Sequence, residues 1–193
     1  MDRFPDDLRE VAMVGAVLNR LGLRYALGGS MASSLLSIPR FTQDADLMID
    51  PFPGREAELQ EALGPDYYVS VTAMSEANRL RRSFNVINKT NGFKLDLFVR
   101  KDRPFDLAAL ERSAPITLPA DPAQHITVLT AEDVIVLKLE WYRLGDEISE
   151  QQWRDVMGLL KVQGENIDLE YLRRAAGELG VVDLLERALE QAL

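Results

Sequence analysis

The sequence predicts an α+β fold: strands and helices interleave over residues 1–115, and a connector and a C-terminal helical subdomain fill residues 116–193. Three observations carry that prediction. Apolar and polar residues alternate strictly over 40–50 and again over 93–100, the signature of strands with one buried face. Segments such as 6–21 instead repeat their apolar residues at helical spacing and stop at a glycine or proline. Beyond residue 130 only helical patterns with capping signals remain.

In chain order, Leu8, Val11, Ala12, Val14, Gly15 and Leu18 form one apolar face of a helix over 6–21, closed by Gly22. Residues 25–27 form a short strand running into Gly28-Gly29, and 30–37 a short helix that must stop before Pro39. In the 40–50 strand, Phe41, Ala45, Leu47 and Ile49 point to one side, and Arg40, Thr42, Asp44, Asp46 and Met48 to the other; Pro51 and Pro53 end it. A helix over 55–63 ends at Gly64-Pro65, a strand follows over 67–71, and a helix over 73–80. Strands 83–88 and 93–100 form a hairpin around the turn dipeptide Asn91-Gly92, with Lys94, Asp96, Phe98 and Arg100 on one face of the second arm. Pro115, Pro119 and Pro122 mark residues 113–129 as a connector with room for short strands at 116–118 and 126–128. Thr130 with Asp133, and Ser149 with Gln152, open the next two helices, and two more follow over 168–179 and 182–192.

A chain of 193 residues, 47% hydrophobic and 27% charged, has the composition of an ordinary globular protein with a sizeable core. It has no cysteine, which excludes disulfides, thiol nucleophiles and thiolate metal sites, and its single histidine, His125, excludes a multi-histidine zinc site. Any metal must be a hard cation held by carboxylates. The charged N-terminus has no signal-peptide core and no apolar run is long enough to span a bilayer, so a cytoplasmic protein with no membrane partner is expected. The net charge of −9 argues against a dedicated nucleic-acid binder. The charge is uneven, however: residues 131–193 hold 14 acidic against 7 basic side chains, and residues 79–103 hold 8 basic against 2 acidic. That basic stretch reads either as a solvated surface or as a patch for phosphates.

The chemistry concentrates at Gly28-Gly29-Ser30 and, thirteen residues further on, Asp44-Ala45-Asp46. A D-x-D pair alone is weak, because sixteen aspartates give roughly one such pair by chance. The order of glycine turn, helix and acidic strand is more specific, and it suits a nucleoside triphosphate held by its phosphates and metal ions. Gly28 and Gly29 permit close approach of a phosphate, and the free N–H groups of the following helix attract anions. Ser30 reads as a phosphate contact, as a helix N-cap, or as both. Asp44 and Asp46 project from one strand face, where they suit two Mg²⁺ ions, or else simply face solvent. Asp96 is the natural third carboxylate, as metal ligand or proton acceptor; its plainer reading is a strand aspartate paired with a hairpin lysine. Arg40 and Thr42, on the acidic face, would steer phosphate or pair with the aspartates. Lys138 lies among Val134, Leu137 and Trp141, where it either snorkels to solvent or reaches the triphosphate. Arg154-Asp155 reads as a structural pair.

Taken together, Gly28-Gly29-Ser30, Ile38-Pro39-Arg40-Phe41-Thr42-Gln43-Asp44-Ala45-Asp46-Leu47, Lys94-Leu95-Asp96-Leu97-Phe98 and Ala131-Glu132-Asp133-Val134-Ile135-Val136-Leu137-Lys138-Leu139 resemble the nucleotidyltransferase superfamily typified by DNA polymerase beta. Within it the chain looks most like the minimal nucleotidyltransferases and the AbiEii-like abortive-infection toxin branch. The resemblance implies a mixed sheet flanked by helices, a helical C-terminal part, and Mg²⁺-dependent transfer of a nucleoside monophosphate to a protein, small molecule or RNA. It implies Gly29 and Ser30 on the triphosphate, Asp44, Asp46 and Asp96 on the metals, and Lys138 as a downstream lysine of the toxin branch. Several toxin-branch members extend or block tRNA 3′ ends and sit beside a cognate antitoxin. The rival expectation is a catalytically silent nucleotide-binding or protein-interaction module.

Overall fold

The computed structural model describes residues 4–40, 42, 44–118 and 121–192. Phe41, assigned by alternation to an apolar strand face, and Pro119 of the connector lie outside them.

A mixed seven-stranded sheet has the order β3-β4-β5-β2-β1-β7-β6. Its central strands are β1 (Tyr25–Leu27), β2 (Asp44–Ile49) and β5 (Lys94–Val99). Strand β2 runs parallel to β5 and antiparallel to β1. Strands β3 (Tyr67–Tyr68) and β4 (Ser83–Asn88) extend the sheet beyond β5. On the other side, β7 (Asp121–Val128) lies parallel to β1 and pairs with β6 (Ala114–Leu118). The proline-bearing stretch after residue 113 therefore completes the sheet, and β7 covers five more residues than the short strand expected at 126–128. Strand β2 begins at Asp44 rather than at 40, which matters for Arg40 below.

The alternation in β2 and β5 translates directly into burial. Ala45, Leu47, Ile49, Leu95, Leu97 and Val99 are buried, whereas Asp44, Asp46, Lys94, Asp96 and Phe98 are only partly covered. Helix α1 (Phe4–Arg20) lays Val11, Val14 and Leu18 into the core. It passes so close to β1 that a Cβ on Gly15 would stand 2.0 Å from the Tyr25 hydroxyl. Helix α2 (Gly29–Leu36) leads from β1 toward β2, and α3 (Glu56–Leu63) and α4 (Val71–Leu80) fill the crossover to β4. Helix α5 (Pro104–Arg112) starts with a proline in its first turn, where the missing N–H costs no hydrogen bond.

The C-terminal helices are α6 (Ala131–Leu144), α7 (Glu150–Gln163), α8 (Leu169–Glu178) and α9 (Val182–Ala192). Thr130, Ser149 and Asp168 cap the first three, each accepting the N–H three residues on. Helices α6 and α7 pack against α2, which brings the helical part over the carboxylate-bearing sheet. A buried knot ties α5, α6 and α8: Asp133 accepts from Tyr171 and from the Thr130 hydroxyl, and Arg112 lies 3.7 Å over the Tyr171 ring. Among the described residues no helix is long and apolar enough to cross a membrane.

Candidate active site

The glycine turn is folded directly onto Asp46. The Gly28 N–H donates to the Asp46 carbonyl at 2.8 Å. Gly29 has φ +58°, and a Cβ there would stand 1.9 Å from the Asp46 carboxylate. Only glycine satisfies both the left-handed backbone and the contact. Gly28 occupies the cap position of α2 with no side-chain cap bond, so Ser30 falls inside the first turn rather than at the N-cap. Gly28, Gly29, Ser30, Asp46 and Lys138 line one end of a cavity of about 540 Å³.

Parallel pairing of β2 and β5 sets Asp44 beside Lys94 and Asp46 beside Asp96. All three predicted carboxylates thus share one sheet face although 50 positions separate Asp46 from Asp96. Lys94 stands between them, its ammonium 2.7 Å from Asp96 Oδ2 and 3.8 Å from Asp44 Oδ2. The hairpin lysine of the plainer reading is therefore present, on the same face as the acids. The Thr42 hydroxyl is within 3.3 Å of the Asp44 carboxylate.

The electrostatics are unbalanced at Asp46. Burial, followed by the charges of Asp44 and Asp96, pushes its carboxyl up to about 6, against the opposing pull of Lys138 and Lys94. Lys94 is raised, chiefly by its bond to Asp96. Among the described residues no three carboxylate or histidine side chains are already gathered as a metal cage. The donor set nonetheless suits a hard cation. Three carboxylates share a face, burial and the charges of the other two raise one of them, and the Lys94 ammonium already bridges the other two.

Lys138 does not snorkel: it is 3% exposed. Its ammonium donates to Gln152 at 3.1 Å and to Asp155 at 2.7 Å. Burial depresses it, partly countered by Asp155. Arg40 does not join the acidic face. Because β2 starts four residues later, Arg40 instead reaches α7, holding Asp155 through Nε at 3.1 Å and Nη2 at 3.0 Å. Asp155 is therefore no partner of Arg154, which lies at the surface within 4.0 Å of Glu150. It clasps two cations from distant segments, a role no local pattern marks, since the partners lie 115 and 17 positions away.

Beyond Asp46 the cavity turns apolar. Met48 and Phe98 follow Asp46 and Asp96 on the same face and are themselves in register. Trp141, one turn after Lys138 on α6, meets Phe98 edge-on at 6.3 Å between ring centres. The alternation of β2 and β5 and the helical spacing from Lys138 would have identified these three residues.

No family model matches this chain, and no curated protein matches it. Solved structures do. One is an antigenic nucleotidyltransferase-like protein from Paracoccidioides brasiliensis, 20% identical, covering 98% of this chain and 93% of that one with a TM-score of 0.57. Another is ANT(2")-Ia in complex with adenylyl-2"-tobramycin, 16% identical, with 85% and 92% coverage and a TM-score of 0.53. A third is the lincosamide antibiotic adenylyltransferase LnuA bound to lincomycin, 12% identical, with 81% and 96% coverage and a TM-score of 0.51. The chain has the nucleotidyltransferase-like α+β fold, a mixed sheet flanked by helices with a helical C-terminal part.

Proposed function

We propose that this chain is a Mg²⁺-dependent nucleotidyltransferase that moves a nucleoside monophosphate from a nucleoside triphosphate to an acceptor hydroxyl. The observation that carries the reading is the glycine turn packed on Asp46, with Asp44 and Asp96 on the same sheet face. The free N–H groups at the start of α2, with Gly28, Gly29 and Ser30, hold the phosphates. Lys138, fixed by Gln152 and Asp155, adds positive charge on the same side. Asp44, Asp46 and Asp96 would hold two Mg²⁺ ions, which when bound would offset the negative charge of the triphosphate and the leaving pyrophosphate.

The acceptor approaches from the Met48–Phe98 side of the cavity, opposite the glycine turn. Its oxygen forms a bond to the α-phosphorus, the bond from that phosphorus to the bridging oxygen breaks, and pyrophosphate leaves with the electron pair. Asp96, nearest that side on β5, takes the hydroxyl proton. A cavity of about 540 Å³ suits a small-molecule acceptor. The known ligands of two similar structures, lincomycin and an adenylylated tobramycin, are also small molecules.

Two other readings each have an observation in their favour. The basic residues Arg81, Arg82, Arg100 and Lys101 at the cavity wall favour a tRNA 3′ end as acceptor, and with it a toxin paired with a cognate antitoxin. The Lys94–Asp96 ion pair favours a catalytically silent nucleotide-binding module. Incubation with each labelled triphosphate and Mg²⁺, alongside total RNA or a small-molecule extract, separates the three. Pyrophosphate release with label in the extract supports the proposal, label in RNA supports the tRNA reading, and no release under any condition leaves the silent module.

A further inference from the structure

We infer that the acceptor taken by this cavity is a small amphipathic molecule with a flat apolar body and an anionic group, and that Arg82 selects it. The inference rests on the transferase reading only for what is delivered to that molecule; the subsite itself stands on the composition of the cavity. Along the shared face of β2 and β5 the side chains run Asp44, Asp46, Met48 and Lys94, Asp96, Phe98. The reacting end is ionic and the far end apolar. Trp141 closes the apolar end edge-on to Phe98, yet it is 53% exposed. An indole left half in water on the wall of a cavity offers a flat ligand a surface to cover.

The charges of this wall are sorted so that one is left over. The two acids that line it with Trp141, Asp106 and Glu140, are both taken by Arg103, at 2.5 and 3.1 Å and at 2.5 and 3.2 Å respectively. Arg81 is held by Asp102, Arg100 by Asp50, and Lys101 lies 3.9 Å from Glu140. The Arg82 side chain makes no hydrogen bond or ion pair among the described residues, while its backbone is pinned at both ends. Its N–H donates to Ala77 at 3.1 Å, and its carbonyl accepts from Val99 at 3.0 Å. An exposed guanidinium on a fixed backbone, free of carboxylates among the described residues and lining the cavity, suits recognition of a carboxylate, sulfonate or phosphate group through paired N–H bonds. Among the described residues, the acids beside Trp141 are both already claimed, and Asp46 stands at the opposite, reacting end of the cavity.

The test uses three probes that differ only in charge: 2-naphthoate, 2-naphthamide and 2-naphthylmethylammonium, titrated into the full chain by ligand-observed NMR. The expected order of affinity is anion over amide over cation, with the anion at least about tenfold tighter than the cation, as a charge-assisted bidentate contact requires. Arg82→Gln should erase the anion's advantage and leave the amide's affinity and the melting temperature unchanged. Trp141→Ala should weaken all three probes alike. Equal binding of anion and cation, retention of the anion preference in Arg82→Gln, or no binding of any probe at millimolar concentration would each overturn the inference. So would a tRNA pool whose binding depends on Arg82 while no small anion binds. Transfer activity that persists when the probes fail leaves the proposed function standing; probe binding without pyrophosphate release does the reverse.

Discussion

Asp46 and Asp155 both feel the charge of Lys138, one from a sheet strand and one from α7, and their surroundings drive them in opposite directions. Asp46 lies beside Asp44 and Asp96, and its carboxyl is pushed up to about 6 by burial and by those two charges. Asp155 is held below the usual carboxylate range. Burial works against it, but hydrogen bonds from Arg40 and Lys138 win. One region is a charge deficit maintained by the fold, and the other is a completed clamp. A largely desolvated carboxylate beside two others costs stability unless a cation offsets it, which is the arrangement the proposed metal binding would relieve. A buried carboxylate with two cations joins chain segments. Lys138 connects the two, since the clamp fixes its position relative to Asp46.

Removing each acid should therefore have opposite consequences. Asp46→Asn should cut nucleotide transfer by about 10³-fold, the scale for losing a main electrostatic contact in a transferase site. It should leave the metal-free melting temperature unchanged or raised, because the repulsion from Asp44 and Asp96 is relieved. Asp155→Ala should do the reverse in stability. It leaves Lys138 buried with only Gln152 as partner, a loss of about 3–5 kcal/mol for a broken buried pair. The melting temperature should fall by roughly 10 °C for a chain of this size. A large fall in Asp46→Asn, or none in Asp155→Ala, would break the contrast.

pH should sharpen it. The folded-state value of Asp46 lies above the unfolded 3.8, so its ionisation opposes folding. The cost is full above about pH 6 and disappears as pH falls toward 3.8, amounting to about 3 kcal/mol at most. In the presence of chelator, Asp46→Asn should be more stable than the parent at pH 7 and equal to it near pH 4, as read by thermal melts at both values. Asp155 follows the other sign: its contribution is present above the unfolded carboxylate value and is lost as pH falls through its lower folded value. Asp155→Ala should thus differ from the parent most at pH 7 and least in strong acid.

What the sequence disclosed divides along the same line. Alternation in β2 and β5, the Asn91-Gly92 turn and the capping residues of α6 and α7 are local, and each marks its element, although β2 begins at Asp44 rather than 40. The shared face of Asp44 and Asp46 was legible for the same reason. The parallel partnership that puts Asp96 opposite Asp46, and the one that seats β7 beside β1, join segments far apart in the chain and leave no local mark. The clamp is wholly non-local. Nothing in the residues around Asp155 indicates Arg40, and the apolar neighbours of Lys138 suggested a snorkelling lysine when the structure buries it. The alternation extends four residues before the start of β2, which is why it puts Arg40 on the acidic face.

The two glycines test the charged region at finer scale. At Gly29 an added methyl meets the Asp46 carboxylate at 1.9 Å and must also tolerate φ +58°, a strain of about 1–2 kcal/mol for a left-handed residue. Gly29→Ala should displace the Asp46 carboxylate and lower transfer and melting temperature together. At Gly28 the backbone lies at φ −124°, outside the left-handed region, and a Cβ would meet the end of the Leu129 side chain at 3.2 Å and the Asp46 carbonyl oxygen at an ordinary 3.8 Å. A leucine methyl can shift by a few tenths of an ångström, so Gly28→Ala should cost less than about 1 kcal/mol. Its transfer rate should fall less than that of Gly29→Ala, because the Gly28 N–H still reaches the Asp46 carbonyl and the Asp46 carboxylate is not displaced. Thermal melts and initial rates on both variants decide the matter. Equal damage at the two positions would mean that the turn as a whole is packed against the sheet, and that the carboxylate of Asp46 has no special claim on Gly29.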